Sequence, residues 1–531
     1  MARNRRLLLI PYSGDGNVVV DITSIVDGGS IASGTYVLAP ASVPSYRVSV
    51  VGLPEDSGFS IAATEDGIVL TDEQTFSPEW TGPTGAWTSS AFDGREGDTD
   101  GMYVIFSQAT TPEAAVTVTV DGNKSVKSLS FMAADTCYTL KGDRIATEEG
   151  ITVNGAAPVV ISNELAISGT VALNAGTEIT LATPRVTLAS SALSGSGSLV
   201  LDPGEGNEFT MSTANTSYTG EAVIKSGTVK MGDATSFGPL GRASYIRVKG
   251  GAKLSTGCNN GAVEGETNRL ILEENATYTS YSSVSDVKLF PISHLELSGN
   301  ANIVADVANV GITKHYNDPL TIAMNGYTLT KTGGNTLYIA AATFTGGGML
   351  YISEGTLNLD SGYFATPQDE TTFTNGTLNV ATGAIVHFNK YMRDATLSVK
   401  NMILNGSVTR QTSNGTSTLT VTGYITGTGT TPMLTLANGA VIKPSTTGTR
   451  KYLTITESLT YDDKVTIDIS DVDFSNYVSV PLFKVGSAEM LPESSAIAFV
   501  GTIPDGWELS KSPDGLGYRL RKPIGLAIKL R

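Results

Sequence analysis

Ile246-Arg-Val-Lys-Gly-Gly251, Leu270-Ile-Leu-Glu-Glu-Asn275 and Leu295-Glu-Leu-Ser-Gly-Asn300 repeat one rule in close succession: apolar, any residue, apolar, two residues, then Gly or Asn. The alternation marks a strand with one buried face, because successive side chains point to opposite sides. Gly or Asn after it marks a corner with φ > 0, which other residues adopt only at a cost. Five more matches lie outside this stretch: Val171/Leu173/Gly176, Leu199/Leu201/Gly204, Leu357/Leu359/Gly362, Leu378/Val380/Gly383 and Leu434/Leu436/Gly439. Subtracting neighbouring turn positions along the chain gives 28, 47, 24, 25, 62, 21 and 56, one or two turns of a coil with a period of roughly 20 to 30 residues. A shorter variant, with one residue before the glycine, appears at Tyr138/Leu140/Gly142, Ile151/Val153/Gly155, Ile322/Met324/Gly326, Met402/Leu404/Gly406 and Leu419/Val421/Gly423. Several of these fill the wide gaps. The pattern predicts an all-β chain built as a single-stranded parallel β-helix, a β-solenoid.

Bulk composition agrees. Of 531 residues 58 are Gly and only 16% are charged, which with abundant Thr, Ser, Val and Asn fits strands and turns. A hydrophobic content of 40% argues against wholesale disorder. The net charge of −16, with no basic stripe to offset it, opposes binding to nucleic acid. Arg3, Arg5 and Arg6 precede the apolar run Leu7 to Ile10, which Pro11 interrupts and which is shorter than the hydrophobic region of a signal peptide. No segment approaches the roughly 20 apolar residues of a membrane-spanning helix. Cys137 and Cys258, 121 positions apart, read as two unpaired thiols.

The expected organisation has four parts. Residues 1–75 form a small β-domain or N-terminal cap, since an open solenoid exposes unpaired backbone at its ends. Residues 76–115 are an irregular lead-in containing Trp80-Thr-Gly-Pro-Thr-Gly-Ala-Trp87. Residues 116–468 are the coil. Residues 469–531, where the register fades and prolines recur, form a C-terminal β cap whose last residues supply a closing strand pair.

Candidate chemistry is sparse, and the sequence assigns no catalytic, cofactor-binding or metal-ligating residue. His387, between Val386 and Phe388, is expected on the outer surface, His294 at a corner, and His315 in the polar cluster Lys314 to Asp318. Asp93, Glu96, Asp98 and Asp100 are oxygen donors in a loop, without the order of an EF-hand, and read as solvated charge. Asp462, Asp463, Asp471 and Asp473 read the same way. Trp80 and Trp87 are expected to plug the solenoid end rather than stack on sugars, and Tyr218 to belong to a turn. Thr228, Lys230, Asn358 and Asn379 are expected to line the wet outer face.

Residues Gly195 to Leu254 resemble an autotransporter-associated β-strand repeat. The match lies in Gly195-Ser-Gly-Ser-Leu-Val-Leu, Asn215-Thr-Ser-Tyr-Thr-Gly220, Val223-Ile-Lys-Ser-Gly-Thr-Val-Lys-Met-Gly232, Leu240-Gly241 and Ile246-Arg-Val-Lys-Gly-Gly-Ala-Lys-Leu254. With the lead-in, whose Trp-rich Gly loop at Trp80 to Trp87, alternating strand at Val116 to Val120 and Ser-Leu-x-Phe strand ending at Phe131 resemble those of secreted proteins carrying such repeats, the resemblance covers about a third of the chain. It implies a right-handed parallel β-helix used as a long exported stalk or passenger on a bacterial cell surface. With no dense catalytic motif, the chain is expected to be a non-enzymatic stalk, adhesin or envelope component at the surface or outside the cell, a monomer, with glycans or envelope components as partners. The chain departs from a full autotransporter in lacking a translocator barrel. Two rivals use the same fold: a polysaccharide lyase or glycoside hydrolase, which needs a cleft lined by carboxylates with Lys or Arg opposite, and a tailspike-like receptor binder, which would be an intertwined trimer.

Overall fold

The structure, a computed structural model, describes residues 77–523 except 81, 89–91, 93–98, 108–114, 189–192, 212–216, 232–239, 241, 258–268, 282–287, 308, 314–319, 340–341, 361–369, 390–394, 411–416 and 446–450. It also describes the strands Val18–Asp21, Thr35–Ala39, Val48–Val51, Phe59–Thr64 and Gly67–Asp72. The chain is all-β, with 59% of residues in strands and 3% helical. Parallel pairs wind it into a β-solenoid with three columns of stacked strands.

The first column can be followed through one inward residue per rung: Val116, Tyr138, Val159, Ile179, Leu199, Ala222, Ile246, Leu270, Leu295, Ile322, Phe344, Phe373, Val399, Val421, Leu436 and Tyr461. Consecutive members lie 20 to 29 residues apart, apart from one step of 15 between Val421 and Leu436, so the spacing read from the sequence is the rung period. All but Tyr461 are buried. The second column runs Phe209, Val229, Leu254, Tyr278, Ile303, Lys331, Ile352, Val380 and Leu404. The third includes Val310, Leu337, Leu357, Val386 and Val408. Together the inward residues make one hydrophobic core along the coil axis.

Corner chemistry follows the rule in most places. Gly176, Gly204, Gly251, Asn275, Gly383 and Gly439 have φ between 62° and 90°. Gly362 lies outside the described residues. Asn300 departs from the rule, being absent from the residues with positive φ. Its side-chain carbonyl accepts the N–H of Thr328 on the next rung at 2.9 Å, so this asparagine ties two rungs instead of fitting a left-handed corner. Asn325 (φ 52°), which the rule passed over, makes a doubly left-handed corner with Gly326 (φ 83°). In the shorter variant, Gly155, Gly406 and Gly423 serve another purpose. A Cβ on Gly155 would stand 1.9 Å from the carbonyl oxygen of Ala133, so the rungs approach too closely for any side chain there.

The ends differ. At the first rungs Glu79–Trp80 already pairs in parallel with Ile105 and Phe106. Trp80, Trp87, Phe92, Phe106, Phe131 and Tyr138 pack there as one buried aromatic group, with Phe106 stacked on Phe131 at 4.9 Å. At the other end Gly517–Arg521 turns back, pairing antiparallel with both Ser479–Val485 and Glu508–Lys511.

Candidate functional site

With the interior this uniform, chemistry has to reside on the outward positions, whose neighbours are set by strand register. On the first column one outward row reads Glu221, Tyr245, Arg269 and His294, and the next reads Arg247, Ile271 and Glu296. Arg247 lies 3.9 Å from Glu221 and 3.5 Å from Glu273, Lys249 lies 2.8 Å from Glu273, and Arg269 pairs with Glu296. The Arg247 guanidinium sits over the Tyr245 ring at 5.4 Å. Burial, then a hydrogen bond to Glu221, raises the Tyr245 pKa. This is the one-sided alternation of carboxylates and cations that a lyase would need, but each of these glutamates faces a cation on the same or a neighbouring rung, across a sheet face rather than a cleft.

His294 is not a corner residue. It opens the strand His294–Leu297 and faces outward beside Arg269, with Glu296 at 4.0 Å. Burial, reinforced by the Arg269 charge, lowers its pKa below the usual histidine value, which favours the neutral ring. His387 does point outward, flanked by inward Val386 and Phe388, and its Nδ1 meets Thr409 Oγ1 at 2.8 Å. It stacks in register between Asn358 and Thr409. Asn358, expected in the wet surface, is buried instead, and among the described residues its Oδ1 has no hydrogen-bond partner. His315 and its cluster lie outside the described residues, as do Asp93, Glu96 and Asp98. Asp100 accepts the Ser125 N–H at 3.0 Å, so it organises the coil's first turns. Asp471 pairs with Lys443 at 2.9 Å, and Asp473 accepts the Ser475 N–H at the start of a 3₁₀ turn. Among the described residues no group of three or more His, Cys, Asp or Glu could hold a metal ion, and no helix is long and apolar enough to cross a membrane.

The aromatic candidates divide. Trp80 and Trp87 are 1% and 2% exposed, which removes both from any sugar-stacking surface. Trp87 donates its indole N–H to Thr99 Oγ1 at 3.0 Å. Tyr138, beside them, donates its hydroxyl to Ser107 O at 2.6 Å, and burial pushes its pKa up to about 12. Tyr218 is buried as well, its hydroxyl donating to the carbonyl oxygens of Gly197 and Glu221 at 3.0 and 2.5 Å. Gly220 follows because a Cβ there would stand 1.9 Å from Gly197 O and 2.8 Å from the Tyr218 ring.

The second column changes character along its length. Thr228, Lys230 and Lys253 face outward in the early rungs, with Lys230 paired to Glu208 and lying 5.5 Å from the Tyr281 ring. From Thr277 on, two outward rows carry no formal charge: one reads Asn302, Thr330, Tyr351, Asn379, Ile403 and Thr426, the next Thr328, Met349, Thr377, Asn401 and Tyr424, with the exposed Lys400 at the corner just before Asn401 reaching Asn375 Oδ1 at 3.4 Å. Charge returns at Lys443, which pairs with Asp468 at 3.2 Å.

Lys331 was missed by sequence reading. It occupies an inward position between Ile303 and Ile352 and is fully buried. Its ammonium donates to the carbonyl oxygens of Gly333, of Asn335 at 2.7 Å and of Glu354 at 2.8 Å, so all three hydrogens are used. Burial lowers its pKa to about 8, while Glu354 and Asp306 pull the other way. The signal was available in Leu329-Thr-Lys-Thr-Gly333, where Lys takes the second apolar place of the rule. No protein-family model, curated protein or solved structure matches this chain.

Proposed function

We propose that the chain is a non-catalytic, exported β-helical protein of the bacterial surface or extracellular space, acting as a stalk or adhesin and built in part from autotransporter-associated repeats. The observation that carries this reading is the unbroken first column. Its 15 steps from Val116 to Tyr461, at about 4.8 Å per strand spacing, give a rod of roughly 70 Å. A rod with a continuous core resists bending, and its outer rows are free to meet a partner. The aromatic group at one end and the antiparallel strands at the other serve as its terminal closures, and it works as a monomer with glycans or envelope components as partners.

The test is a glycan array with the full chain, run beside an assay for reducing ends released from any bound polysaccharide. Retention without release is the expected result. Release would place the protein among the lyases and hydrolases, and an intertwined trimer by sedimentation would favour the tailspike reading.

A further inference from the structure

We propose that the uncharged band on the second column is a binding face for an extended, neutral polysaccharide lying along the coil axis, with Tyr351 and Tyr424 as stacking platforms. The proposal rests on the adhesin reading above and names its ligand class and its site. Outward positions in this band run over successive rungs from Asn302 to Thr426 without a formal charge, between the Lys230–Glu208 pair on one side and the Lys443–Asp468 pair on the other. Two cations border these rows, Lys400 at the corner before Asn401 and Lys443 beside Tyr424, and Lys443 is paired with Asp468 and Asp471; the rows themselves are uncharged, and their amides and hydroxyls match a ligand rich in uncharged hydroxyls.

The layout suits a repeating ligand. Tyr351 stands beside Asn379 in register, Asn379 is two residues from Thr377, Thr377 stands beside Asn401, and Asn401 beside Tyr424. The two rings are therefore three rungs apart, about 14 Å along the axis. A tyrosine ring presents an apolar face to the C–H side of a sugar and a hydroxyl at its edge. Between the rings, side-chain amides can donate and accept at once, which suits neighbouring sugar hydroxyls. Among the described residues the side chains of Asn302, Tyr351 and Thr377 meet no hydrogen-bond partner and the Asn379 amide meets the Met349 sulfur at 3.7 Å, while Asn401 Oδ1 accepts the Tyr424 N–H at 3.3 Å and keeps its NH₂ for a ligand. Lys443 Nζ holds the Tyr424 ring from one side at 5.4 Å. Rung stacking fixes the backbone beneath, so the face needs no ordering before it binds.

The experiment is affinity gel electrophoresis of the full chain through soluble neutral polysaccharides (a mixed-linkage β-glucan, a galactomannan and a xyloglucan), with polygalacturonate as the anionic control. The expected result is retardation in at least one neutral gel and at least a tenfold loss of affinity in the Tyr351→Ala/Tyr424→Ala double variant. Tyr245→Ala, on the charged first column, should bind as the unaltered chain does, and all three proteins should melt together because these side chains face outward. Three results would overturn the proposal: no retardation in any neutral gel, retardation the double variant retains, or a dimer that the double variant dissolves, which would make this face a contact between copies. Retardation that the double variant retains leaves the adhesin reading standing. Release of reducing ends removes the non-catalytic reading without touching the location of the site.

Discussion

Two stretches of the second column stand on the same kind of interior and present different surfaces. The rungs with Phe209, Val229 and Leu254 inside carry Glu208, Lys230 and Lys253 outside, whereas those with Ile303, Ile352 and Val380 inside carry Asn302, Tyr351 and Asn379. Inward residues are held to shape and polarity by the rung above and the rung below. Outward residues touch solvent and their ladder neighbours, so their chemistry varies at little cost in stability. Fold is thus written on one parity of the strand, and the other is left free to vary.

The sharpest way to break that division is to add a side chain where two rungs nearly touch. Gly150 has φ 112°, and a Cβ there would stand 1.9 Å from the carbonyl oxygen of Thr170. Gly150→Ala should cost at least about 3 kcal/mol, since backbone has to move. Gly176→Ala, at φ 79° with open space around its Cβ, should cost only about 1 kcal/mol. Chemical denaturation of both variants checks the contrast, and equal losses would refute the distinction between close approaches and open corners.

Lys331 tests the inward parity from the opposite side, because it is a charge where the rule asks for an apolar residue. Lys331→Met should cost about 2–3 kcal/mol by leaving buried carbonyls without a donor. The charge also gives a pH signature. Its folded pKa of about 8 lies below the ordinary lysine value of 10.5, so between these values the unfolded chain binds the proton more tightly. This contribution therefore makes stability rise with pH from about 8 towards 10.5, and it is lost as pH falls through 8. The difference in stability between wild type and Lys331→Met should grow over pH 8 to 9.5; a constant difference would mean that the ammonium is not desolvated.

The smallest effect belongs to the charged rows. Glu273→Gln removes one of the two carboxylates beside Arg247 and the carboxylate paired with Lys249, yet these groups are partly exposed, and the cost should stay under about 1 kcal/mol and shrink in high salt. Melting at low and high salt measures it, and a large, salt-independent loss would show that the ladder braces the coil.

Period and corners were legible in the sequence because both are local: alternation over three residues sets the buried face, and a left-handed corner selects its own residue type. Asn300 shows the limit of that reading. Nothing nearby distinguishes an asparagine that adopts φ > 0 from one that reaches the next rung, since its partner Thr328 is 28 residues away. Lys331 shows another: its cage comes from Gly333, Asn335 and Glu354, and the last lies on the following rung. The uncharged band was invisible for the same reason. Tyr351 and Asn379 are 28 positions apart and become neighbours only when the register is known.

Between Leu199 and Leu295 the first column advances by 23, 24, 24 and 25 residues, each rung pairing with the one before and the one after. A gene encoding such a coil can gain or lose a whole period, as unequal recombination between similar segments does, and leave every remaining pair in register. Each event changes the reach of the molecule by about 5 Å. Length in this architecture is therefore an inherited dimension that can drift in small equal increments, like links added to or taken from a chain, while the remaining rungs keep their outward rows unchanged.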